Sequence, residues 1–280
     1  MDERFQPAQA ALARGDVDGL ASLLAAEPTL AADRSRARDH PTLLQCLVLT
    51  MPPVDALEDL IDLLANHGAE LTDPLIAASG IDNVRAVAKL LDLGARIQGN
   101  GRWSPLEEAL YWGHEAVVSL LLERGAAICN LRTAAALGDM GRVVRCFDDA
   151  GNLTASAGEV AWPFFTALPP IPEDVRRDPR QILGNALVYA AAWDRADAVD
   201  DLLDRGAEVN LIPAGFDYAG TALHYAALHG HRAMVDRLLR RGADPSIRDT
   251  KVDNLPEGWA EHGGHAGLAE YLRSIRLRSA

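Results

Sequence analysis

Cysteine is scarce in this chain. There are three, Cys46, Cys129 and Cys146, an odd set without CxxC spacing. That excludes a disulfide framework and a paired-cysteine metal site, and predicts a reduced, cytoplasmic chain with its thiols in apolar helical surroundings. Aromatic residues make up only 5%. Alanine and leucine dominate instead, which favours helix over sheet. Basic residues are outnumbered 27 to 40, for a formal charge of -13. Phosphate and anionic lipid surfaces require a basic face, so nucleic-acid and membrane-surface binding are not expected, whereas a basic partner is compatible. No apolar run reaches the length of a membrane span. The opening MDERFQPAQAALARGD has no charged-then-apolar leader pattern. HExxH, GxSxG, the phosphate loop and GxGxxG are also missing. A soluble chain of bacterial type, with no metal and no cofactor, is expected.

What is present is repetition. Thr221 to Asp244, TALHYAALHGHRAMVDRLLRRGAD, reads as two short helices. Thr-Ala-Leu-His opens the first and Gly230-His231 breaks it. Met234, Val235, Leu238 and Leu239 give the second its apolar face, and Gly242 ends it. One such pair cannot bury its own apolar face, so copies are required. Ser104 to Ala126 and Asn185 to Ala207 repeat the pattern. Asp73 to Ala95 does so with Asp82-Asn83 in place of Gly-His. Weaker copies begin near Gln6, Pro41, Cys129 and Leu255, the second carrying extra residues around Met51-Pro52-Pro53. The starts fall at about 6, 41, 73, 104, 129, 185, 221 and 255. Most intervals are near 33 residues, the ankyrin period.

The sequence resembles the ankyrin-repeat family over almost its whole length. Ala222 stands where the family has proline, and Glu107 where it has histidine. The resemblance implies an all-α solenoid of about eight helix-turn-helix units forming a single domain, 1–280. It also implies finger-like connecting loops and a concave face of fingers and first helices, where family members bind. His224, His114 and His231 occupy scaffold positions of the motif. The interval from 129 to 185 is too long by roughly 23 residues. The excess lies in 152–184, rich in proline (Pro163, Pro169, Pro170, Pro172, Pro179) and aromatics (Trp162, Phe164, Phe165). Proline forbids a long helix there, and the aromatics argue against disorder. An overgrown finger folding over the concave groove is one expectation. A flap that patches the degenerate fifth repeat is the other.

Large side chains that depart from the repeat pattern mark candidate binding residues. First helices contribute Glu108, Tyr111, Trp112, Arg132, Tyr189, Trp193, Tyr225, His229, Trp259 and His262. Fingers add Trp103 and Tyr218, and the insertion adds Trp162. All five tryptophans fall on first helices, fingers or the insertion. Large rigid rings on one face suit recognition, although Tyr189, Tyr225 and Trp259 equally suit packing between first helices. The second helices carry Arg85, Lys89, Asp200, Asp201, Arg237, Arg240 and Arg241, a solvated surface that predicts a monomer. The reading that follows is a non-catalytic binder of a protein or peptide, a basic one being compatible with the acidic charge. The alternative is a small-molecule site or acid/base enzyme beneath the insertion, drawing on Glu107, Glu108, Asp194, His229 and His262, with Arg132 beside the glutamates.

Overall fold

The computed structural model describes residues 3–34, 42–50, 54–101, 103–163 and 169–279. Met51-Pro52-Pro53, Phe164 and Phe165 lie outside the described residues. Two compact units are present, Met1–Ala127 and Ile128–Ala280. The first holds four helix pairs: α1 (Gln6–Arg14) with α2 (Val17–Ala26), α3 (Leu43–Thr50) with α4 (Leu57–Asn66), α5 (Thr72–Ser79) with α6 (Val84–Asp92), and α7 (Pro105–Trp112) with α8 (Glu115–Glu123). The second holds α9 (Leu131–Leu137) with α10 (Met140–Arg145), then a four-residue helix α11 (Glu173–Arg176) and three further pairs. These are α12 (Pro179–Ala192) with α13 (Ala196–Asp204), α14 (Ala222–Leu228) with α15 (Arg232–Arg240), and α16 (Pro256–His262) with α17 (Ala266–Ser279). Among the described residues there is no strand, only an isolated bridge between Phe147 and Leu153. The all-α, eight-unit expectation holds.

Local sequence explains why these short helices start where they do. Ser104 with Glu107, Asn130 with Thr133 and Thr221 with His224 form reciprocal capping boxes. Thr42 and Gln45 exchange the same two bonds ahead of α3, at 3.3 and 2.9 Å. Each box satisfies two backbone donors that a helix start would otherwise leave unpaired. In the fifth unit the cap is Asn130, one residue later than the spacing from Cys129 suggests. Cys129 is therefore exposed and outside a helix, not apolar filler. Cys146 is buried, and burial pushes its thiol pKa up.

Successive repeats are tied where the first helix turns into the second. In four of the repeats the residue opening the second helix reaches a carbonyl at the end of the preceding repeat's first helix. Asn83 Nδ2 donates to Val48 O at 3.4 Å, and His114 Nε2 to Gly80 O at 3.1 Å. Arg195 Nε donates to Ala136 O and His231 Nε2 to Ala192 O, each at 2.9 Å. Since a carbonyl can only accept, both histidines carry their proton on Nε2. The bonds satisfy carbonyls that the short helices leave open. Second helices stack through ion pairs: Arg85–Glu58, Lys89–Asp62 and Arg124–Asp92 in the first unit, Arg237–Asp200 and Arg241–Asp204 in the second. The charges read as a solvated face are thus also repeat-to-repeat contacts, each worth roughly 0–1 kcal/mol at such exposure.

Tyr189, Tyr225 and Trp259, for which the sequence leaves open both the recognition face and packing between first helices, are core. They are 3%, 7% and 6% exposed. Phe216, from the loop after α13, inserts between Tyr189 and Tyr225 with ring centroids 5.3 and 5.0 Å away, and Tyr225 meets Trp259 edge-on at 5.1 Å. A column of rings at these separations gains area burial and favourable quadrupole contacts. Its lower end is pinned by Asp249, which accepts from Trp259 Nε1 at 2.9 Å and from the backbone N–H groups of Lys251, Val252 and Asn254. Burial alone pushes the Asp249 carboxyl up, but these donors together outweigh it and hold its pKa down. Asp249→Ala strands four donors next to the core. A loss of about 2–4 kcal/mol in urea unfolding is expected. A change under about half a kcal/mol would show that the loop holds itself.

The insertion is ordered where it is described, and part of it is helix. Pro179 takes the first helical position of α12 with Asp178 capping at Arg180 N, 2.9 Å, so residues 179–184 belong to that helix. Proline breaks a helix interior but suits its first turn, so the prolines do not bar this extension. Upstream, residues 155–163 pack along the start of α9 and the loop before α14. A Cβ on Gly158 would meet Asn130 Cβ at 2.8 Å, and one on Gly215 would meet Val160 Cγ1 at 2.8 Å and Ala161 O at 2.9 Å. Val160 N donates to Arg176 O, closing the segment on itself.

Candidate functional site

In the first unit the candidates gather around one carboxylate. Glu108, on α7, is 1% exposed. Its two oxygens accept from two indoles, Trp103 Nε1 at 2.6 Å and Trp112 Nε1 at 2.9 Å. Gly80 leaves the room: a Cβ there would lie 2.7 Å from Glu108 Oε1. Trp103 is buried, while Trp112 stays 45% exposed, with Tyr111 edge-on to it at 5.0 Å. The result is a large ring displayed to solvent with its orientation already fixed. Glu107, the neighbouring acid candidate, accepts from Ser104 N at 3.0 Å and Ser104 Oγ at 2.9 Å. Both glutamates are thus engaged in holding α7 and its tryptophans.

In the second unit the candidates separate. Arg132, 7% exposed, donates from Nη1 to Glu159 O at 2.6 Å and so anchors the insertion. The Glu159 carboxylate pairs with Arg177 and Arg176, and the Arg177 hydrogen bond leads in lowering its pKa. The recess between them, lined by Arg132, Ala157, Glu159, Val160, Ile182 and Asn185, is a shallow dimple with essentially no enclosed volume, against the roughly 300–1,000 Å³ of ligand pockets. Trp162 is half-buried and donates to Pro169 O at 2.8 Å. Trp193 is half-buried at the end of α12, next to exposed Asp194 in a left-handed conformation (φ 53). Tyr218 is 46% exposed, with Lys251 Nζ 4.0 Å from its ring centre.

The histidines also divide. His224 is 0% exposed, accepts at Nδ1 from Thr221 N at 3.1 Å, and donates from Nε2 to Asn254 O at 3.4 Å. Burial lowers its pKa to about 4. This is the scaffold role its motif position implied. His229 stacks on His231 at 5.8 Å. Burial first, then the like charges of His231 and His265, bring its pKa down to about 4. His262 is exposed on α16. Among the described residues, no group of three or more His, Cys, Asp or Glu is placed to hold a metal ion.

Sequence reasoning missed Phe216 and Glu159, which act through contacts with other segments, and Asp249, which gathers the turn that follows it and Trp259. It also passed over Leu49 and Ile81. They occupy the same repeat position as Trp112, and the register alone points to them.

Among the described residues, no helix is long and apolar enough to cross a membrane. The family description "Ankyrin repeats (3 copies)" matches residues 173–249, and "Ankyrin repeat" matches 102–134. No curated protein matches the chain. Among solved structures, the human ASB11 ankyrin repeat domain is similar, at 19% identity over 95% of this chain and 97% of that one, with a TM-score of 0.43. Residues 102–134 and 173–249 are thus ankyrin repeats, and helix pairs of the same kind recur through both units.

Proposed function

We propose that this chain is a non-catalytic binding protein that takes a partner protein or peptide on the solvent-facing residues of its first helices and fingers. The observation that carries this reading is Trp112. An indole that is nearly half exposed, yet locked by Glu108 and braced by Tyr111, contributes contact area without a further ordering cost on binding. Trp193 stands at the corresponding position of a repeat in the second unit, and Tyr218 supplies an aromatic on a finger. Stacked repeats serve as scaffolds for extended binding surfaces of this kind. The net charge of -13 favours a basic partner.

Affinity capture from an extract of the source cells tests the reading. Proteins retained by the wild-type chain should be retained about tenfold less by Trp112→Ala or Trp193→Ala. Thermal stability should change little, since Glu108 keeps its bond from Trp103. Equal retention by wild type and both variants would reject this face as the binding surface.

A further inference from the structure

We infer that the first-helix ends of the first unit, Leu49, Ile81 and Trp112, form a docking strip for a basic amphipathic peptide segment, one that alternates bulky apolar side chains with Lys or Arg. This rests on the protein-binding reading above and names the chemistry of the partner.

The strip follows from how the repeats are joined. α3 packs on α5, and α5 on α7. Asn83 ties to Val48 O and His114 to Gly80 O, so the turn carrying Leu49 is fastened to the turn carrying Ile81. Gly80 in turn abuts Glu108, which holds Trp112. The three side chains occupy equivalent positions in successive repeats. At roughly 8–10 Å between packed helices the strip spans about 20 Å, or about six residues of extended peptide. Leu49 is 37% exposed and Ile81 half-buried. Two exposed apolar side chains flanking a shallow third make a row of separate anchor points.

The charge beside the strip is predominantly negative. Residues 1–127 carry 19 of the 40 acidic residues but only 10 of the 27 basic ones. Their placement matters more than their number. On the second helices Glu58, Asp62 and Asp92 are each paired with a cation of the neighbouring repeat. Asp82 follows Ile81 at its turn, Glu115 opens α8 just after Trp112 and Asp55 precedes α4, while Asp16 and Asp18 stand at the turn of the first repeat. Arg14 is paired with Asp16 at 3.7 Å. Among the described residues, exposed Asp18, Asp55, Asp82 and Glu115 have no ion pair. Uncompensated negative charge thus borders the apolar row, and a segment with cations between its apolar residues complements both features.

The test is selection of a displayed random-peptide library, about twelve residues long, on the full chain, followed by titration of synthetic copies of the enriched peptides. Enriched sequences should show excess positive charge and bulky apolar residues. Their affinity should fall about tenfold on Trp112→Ala, fall severalfold on the double variant Asp82→Asn/Glu115→Gln, and weaken with salt. Failure to enrich any peptide, enrichment without excess positive charge, or binding indifferent to both variants would overturn the proposal. If Trp112→Ala still loses captured proteins while no basic peptide is enriched, this proposal fails and the protein-binding reading stands. If Trp112→Ala still binds the enriched peptides like wild type, and neither it nor Trp193→Ala loses captured proteins, both fail.

Discussion

Gly230→Val should destabilise the protein by roughly 3 kcal/mol or more, from two additive causes. Gly230 closes α14 in the left-handed region at φ 71. A β-branched residue is strained there by about 1–2 kcal/mol. The new side chain would also have nowhere to go. A Cβ at this position lies 2.5 Å from His265 Cε1 and 2.6 Å from its Nδ1, so the ring that opens α17 must move. For a domain of this size the loss corresponds to a fall in melting temperature on the order of 10 °C. Gly242→Ala is the matched control. Its φ is 90, but nothing lies within 4 Å of its Cβ. It should show only the backbone strain, about 1 kcal/mol. Equal melting temperatures for wild type and Gly230→Val would mean that the helix-to-helix turn is not where the repeat register puts it.

Acidification from pH 6.5 to pH 4 should weaken the fold steeply, well before most carboxylates are protonated. His224 and His229 have folded-state pKa values of about 4 against an ordinary 6.5. Between those values the unfolded chain takes up a proton that the folded chain excludes, so stability falls as pH falls. It is fully present above pH 6.5 and is lost progressively down to about pH 4. His224, wholly buried with both ring nitrogens engaged, contributes about 3 kcal/mol over that window by the usual 1.36 kcal/mol per pKa unit. His229 is less enclosed and contributes less. Asp249 and Glu257, whose pKa values are lowered, add the same sign of loss at lower pH, as their carboxylates protonate. Urea midpoints measured between pH 7 and 4.5 check this, and His224→Gln should flatten the slope. A midpoint that does not move between pH 7 and 5 would show that both rings reach solvent before unfolding.

Much of this architecture is readable without coordinates, and particular residues show why. Thr221, His224 and Gly230 specify a helix start and stop through bonds to their own neighbours in the chain, so their motif carries the structure with it. His114 and His231 look like scaffold in the sequence and are scaffold in the fold. Where the sequence reading slips, a long-range partner decides. Tyr189, Tyr225 and Trp259 sit at first-helix positions equivalent to Glu108, and the sequence leaves open whether they face a partner or the core. Phe216, from a loop about 10–30 residues away in the chain, fills the gap between two of them and so removes them from the surface. Glu107 and Glu108 look like an acid pair, but their oxygens are committed to Ser104 and to two indoles.

Hydrophobic period, capping residues and positive-φ glycines, all local properties, determined the number of repeats and the boundaries of most of their helices. The insertion was visible as an excess of length and a run of prolines. Only tertiary contact decided which tryptophans remain exposed, that Arg132 holds the insertion through the carbonyl of Glu159, and that Glu58, Asp62 and Asp92 meet cations of neighbouring repeats. Those outcomes depend on which side chain arrives opposite which when repeats stack, a matter of geometry between segments that no single repeat encodes.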